Sequence, residues 1–104
     1  MSEQHPEIEE EVSSETQDEV EEPPLYKVLL HNDDYTTMEF VVEILMLIFN
    51  NSPKESVEIM LNVHNKGVGV CGVYPYEVSE TKVETVHAFA REKGFPLKCT
   101  MEKE

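Results

Sequence analysis

The stretch from Leu25 to Phe40 constrains the fold most, because it specifies a strand, a turn and a helix start in one run. In its first part, alternate residues belong to two sets, which is typical of a strand with one buried face. One set is Tyr26, Val28 and Leu30, and the other is Lys27, Leu29 and His31. Residues 32–34, Asn-Asp-Asp, favour a turn because their short side chains bond the local backbone. Thr36 and Glu39 have the spacing of a capping box, which predicts Thr36 as the helix N-cap.

The rest of the folded region predicts two more strands and two more helices. The first helix is expected over residues 37–49, and Ser52-Pro53 with Glu55 marks the start of the second, which ends near Gly67. A strand over residues 68–74, a helix over 77–93 and a strand from Pro96 complete the order β-α-α-β-α-β. We therefore expect an α+β domain in which a three-stranded antiparallel sheet packs under helices.

The apolar positions of the helices predict their buried faces. For the first helix they are Met38, Val41, Val42, Leu45 and Phe49, widened by Phe40, Ile44, Leu47 and Ile48. For the second helix they are Val57, Met60, Leu61 and His64, with Ile59 and Val63 beside them. For the third they are Val83, Val86 and Ala90, with Phe89 adjoining. The glycines of the middle strand predict a bulge or the close approach of another part of the backbone.

Charge divides the chain into two regions. Residues 1–24 contain ten acidic residues and no lysine or arginine, and end in Pro23-Pro24. Such a segment buries too little apolar surface to offset its ordering entropy, so we expect an acidic, disordered N-terminal extension. Residues 25–104 hold 12 acidic and eight basic residues and are expected to form the single folded domain.

Composition also excludes several function classes. Clustered lysine and arginine are lacking, which argues against nucleic acid and against an anionic membrane surface. No segment has the length of a membrane span, and the acidic N-terminus is unlike a signal or transit peptide. Two cysteines, Cys71 and Cys99, are too few for a disulfide framework, so we expect a reduced, cytoplasmic protein with free core thiols. No histidine pair, phosphate loop or dinucleotide motif indicates a metal or cofactor.

The residues themselves leave the chemistry of the turn open. Asp33 with Asp34, or Asp33 with His64, has the composition of an acid/base pair, whereas adjacent acids after a strand are more often solvated turn residues. His64 stands at the end of an apolar stripe, where a packed core histidine and a ligand are equally consistent with the pattern.

Five separated motifs resemble the ClpS family of adaptor proteins, in order and at family spacing across residues 25–104. They are Asn32–Val41, Ile59–His64, Val70–Tyr74, Glu80–Val83 and Pro96–Glu102. The resemblance implies a non-enzymatic N-degron adaptor that binds a bulky N-terminal Leu, Phe, Tyr or Trp. Such adaptors deliver substrates to a AAA+ Clp unfoldase, ClpA or, in plant and cyanobacterial relatives, ClpC, coupled to the ClpP protease.

The resemblance also assigns roles to individual residues. It implies that the substrate α-amine is bound by Asn32, Asp33 and His64. It implies a side-chain pocket walled by Thr36, Met38, Val41, Met60, Val63 and Leu97, in which Met38 disfavours β-branched residues. It implies that the unfoldase docks on Glu77 and Lys82. We expect no cofactor and a monomer, and we expect the N-terminal extension to help transfer the substrate.

Two other function classes make different predictions. A small acid/base enzyme using Asp33 and His64 would turn over a substrate, although the sequence shows no positioned nucleophile. A general protein-interaction scaffold would bind its partner regardless of whether the partner has a free N-terminal amine.

Overall fold

The computed structural model describes residues 22–104, so nearly all of the predicted N-terminal extension lies outside the described residues. The six elements follow the predicted order β-α-α-β-α-β. They are β1 Leu25–His31, α1 Met38–Leu47, α2 Pro53–Lys66, β2 Val68–Pro75, α3 Tyr76–Lys93 and β3 Lys98–Lys103. No helix within this range is long and apolar enough to cross a membrane.

The sheet is antiparallel throughout and has β1 at its centre, in the order β2-β1-β3. Val28 and Leu30 of β1 are fully buried, as the period-two pattern predicts. They join one core with residues from all three helices and both outer strands, so the helices cover a single face of the sheet. The predicted α+β architecture is confirmed.

The N-cap of α1 is Thr37, so the prediction of a capping box beginning at Thr36 is wrong. Thr37 is extended (φ −75°, ψ 151°), and its hydroxyl accepts from the Phe40 N–H at 3.1 Å. The Thr36 hydroxyl instead donates to Asp33 Oδ2 at 2.7 Å. Asn50, in the left-handed region at φ 57°, marks the break after the helix.

The buried face of α1 is narrower than the sequence predicts. Phe40, Val41, Ile44 and Leu45 are buried, and Ile48 and Phe49 follow beyond the helix end. Met38 and Leu47 are exposed, and Val42 is half-buried. Glu39 and Glu43, one turn apart, are the polar residues of this helix and both are exposed, but they leave the width of the apolar face undetermined.

Both ends of α2 are as predicted, but the residues that it buries are not. Ser52 and Glu55 form the reciprocal capping box, Pro53 opens the helix, and Gly67 ends it at φ 89°. Val57 and Leu61, predicted to be buried, are exposed, whereas Val63 is 3% exposed and Ile59 and Met60 are half-buried. The helix has two overlapping apolar stripes, and only packing against the sheet selects one of them.

The glycine-rich strand β2 shows both predicted features. Its register with β1 shifts between Val28 and Leu29, where Cys71 is the extra residue of a bulge. A Cβ on Gly69 would lie 2.7 Å from Val63 Cγ2, so α2 packs directly on the strand backbone. Both cysteines are free and buried, as expected, and burial raises the pKa of the Cys99 thiol to about 12.

Helix α3 matches the prediction closely. It starts at Tyr76, one residue before the predicted start, and Gly94 ends it at φ 80°. Val86 and Ala90 are buried and Val83 is half-buried against the core, whereas Phe89 is 38% exposed. The His87 Nε2 atom accepts from the Cys99 N–H at 3.0 Å, which joins α3 to β3.

Candidate functional site

A cavity of about 260 Å³ opens where the end of β1, the start of α1 and the end of α2 meet. It has a polar side formed by the turn after β1 together with His64, and an apolar side formed by the two helices. Its lining residues are Asn32, Asp33, Asp34, Thr36, Met38, Val41, Met60, Val63 and His64.

One backbone hydrogen bond joins the two sequence segments that form the polar side. The Asn32 N–H donates to the Gly67 carbonyl at 2.9 Å, and the Gly67 N–H donates to the Val63 carbonyl at 2.9 Å. Glycine fits position 67 because the left-handed backbone there is strained for residues that carry a Cβ. The last turn of α2, which carries His64, is thereby held beside the end of β1.

The Asp33 carboxylate organises the turn between β1 and α1. Its Oδ1 atom accepts from the backbone N–H groups of Tyr35 at 2.8 Å and Thr36 at 2.7 Å. Its Oδ2 atom accepts from the Thr36 hydroxyl at 2.7 Å. Partial burial by itself would raise the pKa of Asp33, but the hydrogen bonds from Thr36 and Tyr35 outweigh it and lower that pKa. Asp33 is therefore an ionised, oriented acceptor.

The electrostatics of the cavity favour a cation. The charged side chains among its lining residues are Asp33 and Asp34, both acidic, and neither lysine nor arginine lines it within the described range. The His64 side chain is exposed at the mouth, so the interpretation of a packed core histidine is wrong. Among residues 22–104 no cluster of histidine, cysteine or acidic residues has the arrangement of a metal site.

The opposite wall of the cavity is apolar. Val41 and Val63 are buried, Met60 is half-buried, and Met38 is 44% exposed at the rim. Methionine side chains are flexible and adapt to guests of different shape. The cavity thus places acceptors for a positive group directly beside a surface suited to an apolar side chain.

The structure brings together most of the predicted site residues. All three predicted amine-binding residues and five of the six predicted pocket residues line the cavity. Leu97 is not a lining residue and lies in the core at 4% exposure. Asp34 also lines the cavity, although the sequence identified it only as a turn residue or an acid/base partner.

The two residues predicted to dock the unfoldase lie on α3, along a second and more open depression lined by Glu77, Val78, Thr81 and Lys82. Glu77 is exposed in the first turn of the helix. The Lys82 side chain turns inward, where its Nζ atom donates to the Ile48 carbonyl at 2.7 Å. The sequence pattern contains no signal for this contact, because the two residues belong to different helical segments.

Residues 21–100 match the family model described as ATP-dependent Clp protease adaptor protein ClpS. The chain belongs to the ClpS family. A ClpS from Desulfatibacillum aliphaticivorans is 62% identical over 93 residues, which cover 89% of each chain. A ClpS from Desulforapulum autotrophicum is 57% identical over 104 residues and covers all of both chains. Both relatives are named as adapter proteins of the ATP-dependent Clp protease.

The fold also matches a solved structure of the family. Agrobacterium tumefaciens ClpS2 bound to L-phenylalaninamide superimposes with a TM-score of 0.77 at 40% sequence identity. The match covers 80% of this chain and 100% of the ClpS2 chain. This chain therefore has the fold of the ClpS family.

Proposed function

We propose that this adaptor binds the N-terminal residue of N-degron substrates in the cavity beside Asp33 and delivers them to a AAA+ Clp unfoldase–protease. The recognised residue is a bulky hydrophobic one: Leu, Phe, Tyr or Trp. The observation that carries the proposal is the pairing, within one cavity, of an acidic set of hydrogen-bond acceptors with an apolar wall.

The acceptors match the α-ammonium group in number. A carboxylate has about four lone-pair sites, and three of those on Asp33 accept the bonds described above, which leaves one on Oδ2. Asn32 supplies an amide oxygen and His64 supplies an imidazole nitrogen when neutral. The three acceptors equal the N–H donors of the α-ammonium group in number, and a hydrogen bond to an ionised partner contributes about 1.5–3 kcal/mol.

The apolar wall provides selectivity for the side chain. Val41, Met60 and Val63 form the inner surface, and burying a Leu or Phe side chain against such a surface contributes about 1.5–3 kcal/mol. We propose that Met38, at the rim, disfavours substrate residues that branch close to the backbone. The ligand of Agrobacterium ClpS2, L-phenylalaninamide, combines a free α-amine with an apolar aromatic side chain, which supports this assignment.

The surface of α3 around Glu77 is our proposed docking site for the unfoldase, ClpA or ClpC, which acts with ClpP. Glu77, Val78 and Thr81 form an acidic and partly apolar patch. Beside it, the Lys82 ammonium donates its hydrogen bond to the Ile48 carbonyl. We propose that the adaptor acts there as a monomer, with the acidic extension aiding transfer.

Fluorescence anisotropy with labelled peptides tests the recognition step. A peptide beginning with Leu should bind, and the same peptide N-acetylated should bind at least about tenfold more weakly, because acetylation removes the charge and a donor. An N-methylated peptide keeps the charge but loses one N–H, so its affinity should fall between the two.

Variants of the protein complete the test. Asp33→Asn should lose most of the preference for the free amine, whereas Glu102→Gln on β3 should keep it and controls for the loss of one negative charge. Equal binding of the free and acetylated peptides would reject the proposal and favour a general interaction scaffold.

A further inference from the structure

We propose that Thr36 is a positioning residue for α-amine recognition, acting through its hydroxyl on the Asp33 carboxylate rather than as a pocket wall alone. This inference rests on the proposed function of the cavity. It differs from the role that the family resemblance implies, in which the residue at this position only shapes the side-chain pocket.

The geometry separates what the backbone does from what the Thr36 side chain does. The N–H groups of Tyr35 and Thr36 both bond to Oδ1, so they fix one oxygen of the carboxylate. Neither N–H group bonds to Oδ2. The Thr36 hydroxyl at 2.7 Å from Oδ2 fixes the second oxygen, the one with the remaining free lone pair. Within residues 22–104 it is the only side chain that hydrogen-bonds to Asp33.

The same bond determines what Thr36 presents to a ligand. Its hydroxyl has one proton, and that proton is directed at Asp33, so it is not available for donation to a substrate group. The bond also stabilises the ionised form of the carboxylate. The other titratable side chains lining the cavity are Asp34, from the same turn, and His64, from α2.

Two substitutions separate the hydroxyl from the methyl group. Thr36→Val keeps the shape and removes the hydroxyl, whereas Thr36→Ser keeps the hydroxyl and removes the methyl. Without any peptide, the Asp33 carboxyl is titrated by carbon-13 NMR in full-length protein carrying Asp34→Asn and His64→Asn, so that neither of those groups contributes. The titration midpoint should rise in Thr36→Val and stay close to that of the parent protein in Thr36→Ser. An unchanged midpoint in Thr36→Val would overturn the inference whether or not the cavity binds N-termini.

Peptide binding then tests positioning through a double-mutant cycle in an otherwise unaltered sequence. Thr36→Val should weaken binding of the free-amine Leu peptide by about threefold to tenfold, and Thr36→Ser should restore most of that loss. In an Asp33→Asn background, Thr36→Val should change affinity less than about twofold, because the group it positions is already altered.

The alternatives give different results in this cycle. Equal losses from Thr36→Val in both backgrounds, or a larger loss from Thr36→Ser than from Thr36→Val, would show a wall role and overturn the inference. Circular dichroism melts of each variant separate a local effect from unfolding. If the unaltered protein does not distinguish free from acetylated peptide, the proposed function fails, and this inference fails with it.

Discussion

The Lys82 ammonium donates a 2.7 Å hydrogen bond to the carbonyl oxygen of Ile48, the C-cap residue of α1. It also lies 5.7 Å from the ring centre of Phe49 and 5.2 Å from that of Tyr74. A cation at this position satisfies a carbonyl at the helix end, interacts favourably with the helix dipole and contacts two aromatic faces. Lys82 therefore links α3 to the C-terminal end of α1.

Replacing Lys82 by Met should destabilise the fold, because Met keeps the apolar stem and loses the ammonium. We expect the free energy of unfolding in urea to fall by about 1–3 kcal/mol, the range for a charged hydrogen bond with cation–π contacts. Lys98→Met removes a charge at an exposed site and should change stability by less than about 0.5 kcal/mol. Equal changes in stability for Lys82→Met and Lys98→Met would show that the contact with Ile48 does not stabilise the fold. Lys82 would then be available for docking alone.

Gly69→Ala should damage both the fold and the cavity. The added Cβ would lie 2.7 Å from Val63 Cγ2, and Val63 has little rotamer freedom to move away in a helix. We expect a loss of about 1–3 kcal/mol in stability from overpacking, and weaker Leu-peptide binding because Val63 lines the cavity. Gly94→Ala, strained by φ 80° but with no atom near the new Cβ, should cost stability without changing affinity. Unchanged affinity in Gly69→Ala would mean that the Val63 wall is not used.

Local signals in the sequence predict the elements but not every contact between them. The alternation in β1 correctly predicts that Val28 is buried, and Ser52 and Gly67 cap α2 as expected. The choice of N-cap between two adjacent threonines failed because the Thr36 hydroxyl bonds to Asp33 instead. The prediction of the buried face of α2 failed because its apolar residues lie on two overlapping faces. Packing against the sheet buries the face that contains Val63.

The residues of the candidate site could be named from the sequence, but not from their spacing along the chain. Asn32 and His64 share no periodic relationship, and the Asn32–Gly67 backbone bond brings their segments together only in the folded chain. The prediction that Asn32 and His64 act together rests on the family resemblance alone. Leu97 followed the same resemblance, yet it packs into the core instead of lining the cavity.

Acid should remove the stabilisation that Asp33 provides. Its folded-state pKa lies below the ordinary value because hydrogen bonds from Thr36 and Tyr35 outweigh burial. The contribution is therefore fully present above about pH 4 and is lost as the pH falls through the lowered folded-state pKa. In urea titrations the stability difference between the wild type and Asp33→Asn should shrink below about pH 4. Asp34→Asn, an exposed site, serves as the control, and a constant Asp33→Asn difference across this range would contradict the prediction.

Two fully buried serines should respond oppositely to alanine. The Ser56 hydroxyl has no hydrogen-bond partner among the described residues, whereas Ser79 donates to the Tyr74 carbonyl at 3.1 Å. Both lie in helices, so the gain in helix propensity is shared and cancels in the comparison. Ser56→Ala should be neutral or stabilising, and Ser79→Ala should unfold at lower urea, with a difference of about 1–3 kcal/mol between them. Equal midpoints would contradict this prediction.

Deleting residues 2–22 should separate substrate binding from substrate delivery. The cavity is formed by residues 32–64, so the truncated adaptor should bind the Leu peptide with the affinity of the full chain. If the acidic extension aids transfer, degradation of a Leu-initiated substrate by the unfoldase–protease should be lost even when the adaptor is saturated with substrate. An extension of the same length with its acidic residues replaced by Gln and Ser distinguishes charge from length. Full degradation by the truncated protein would reject the delivery role, whereas weakened peptide binding would place part of the recognition site in the extension itself.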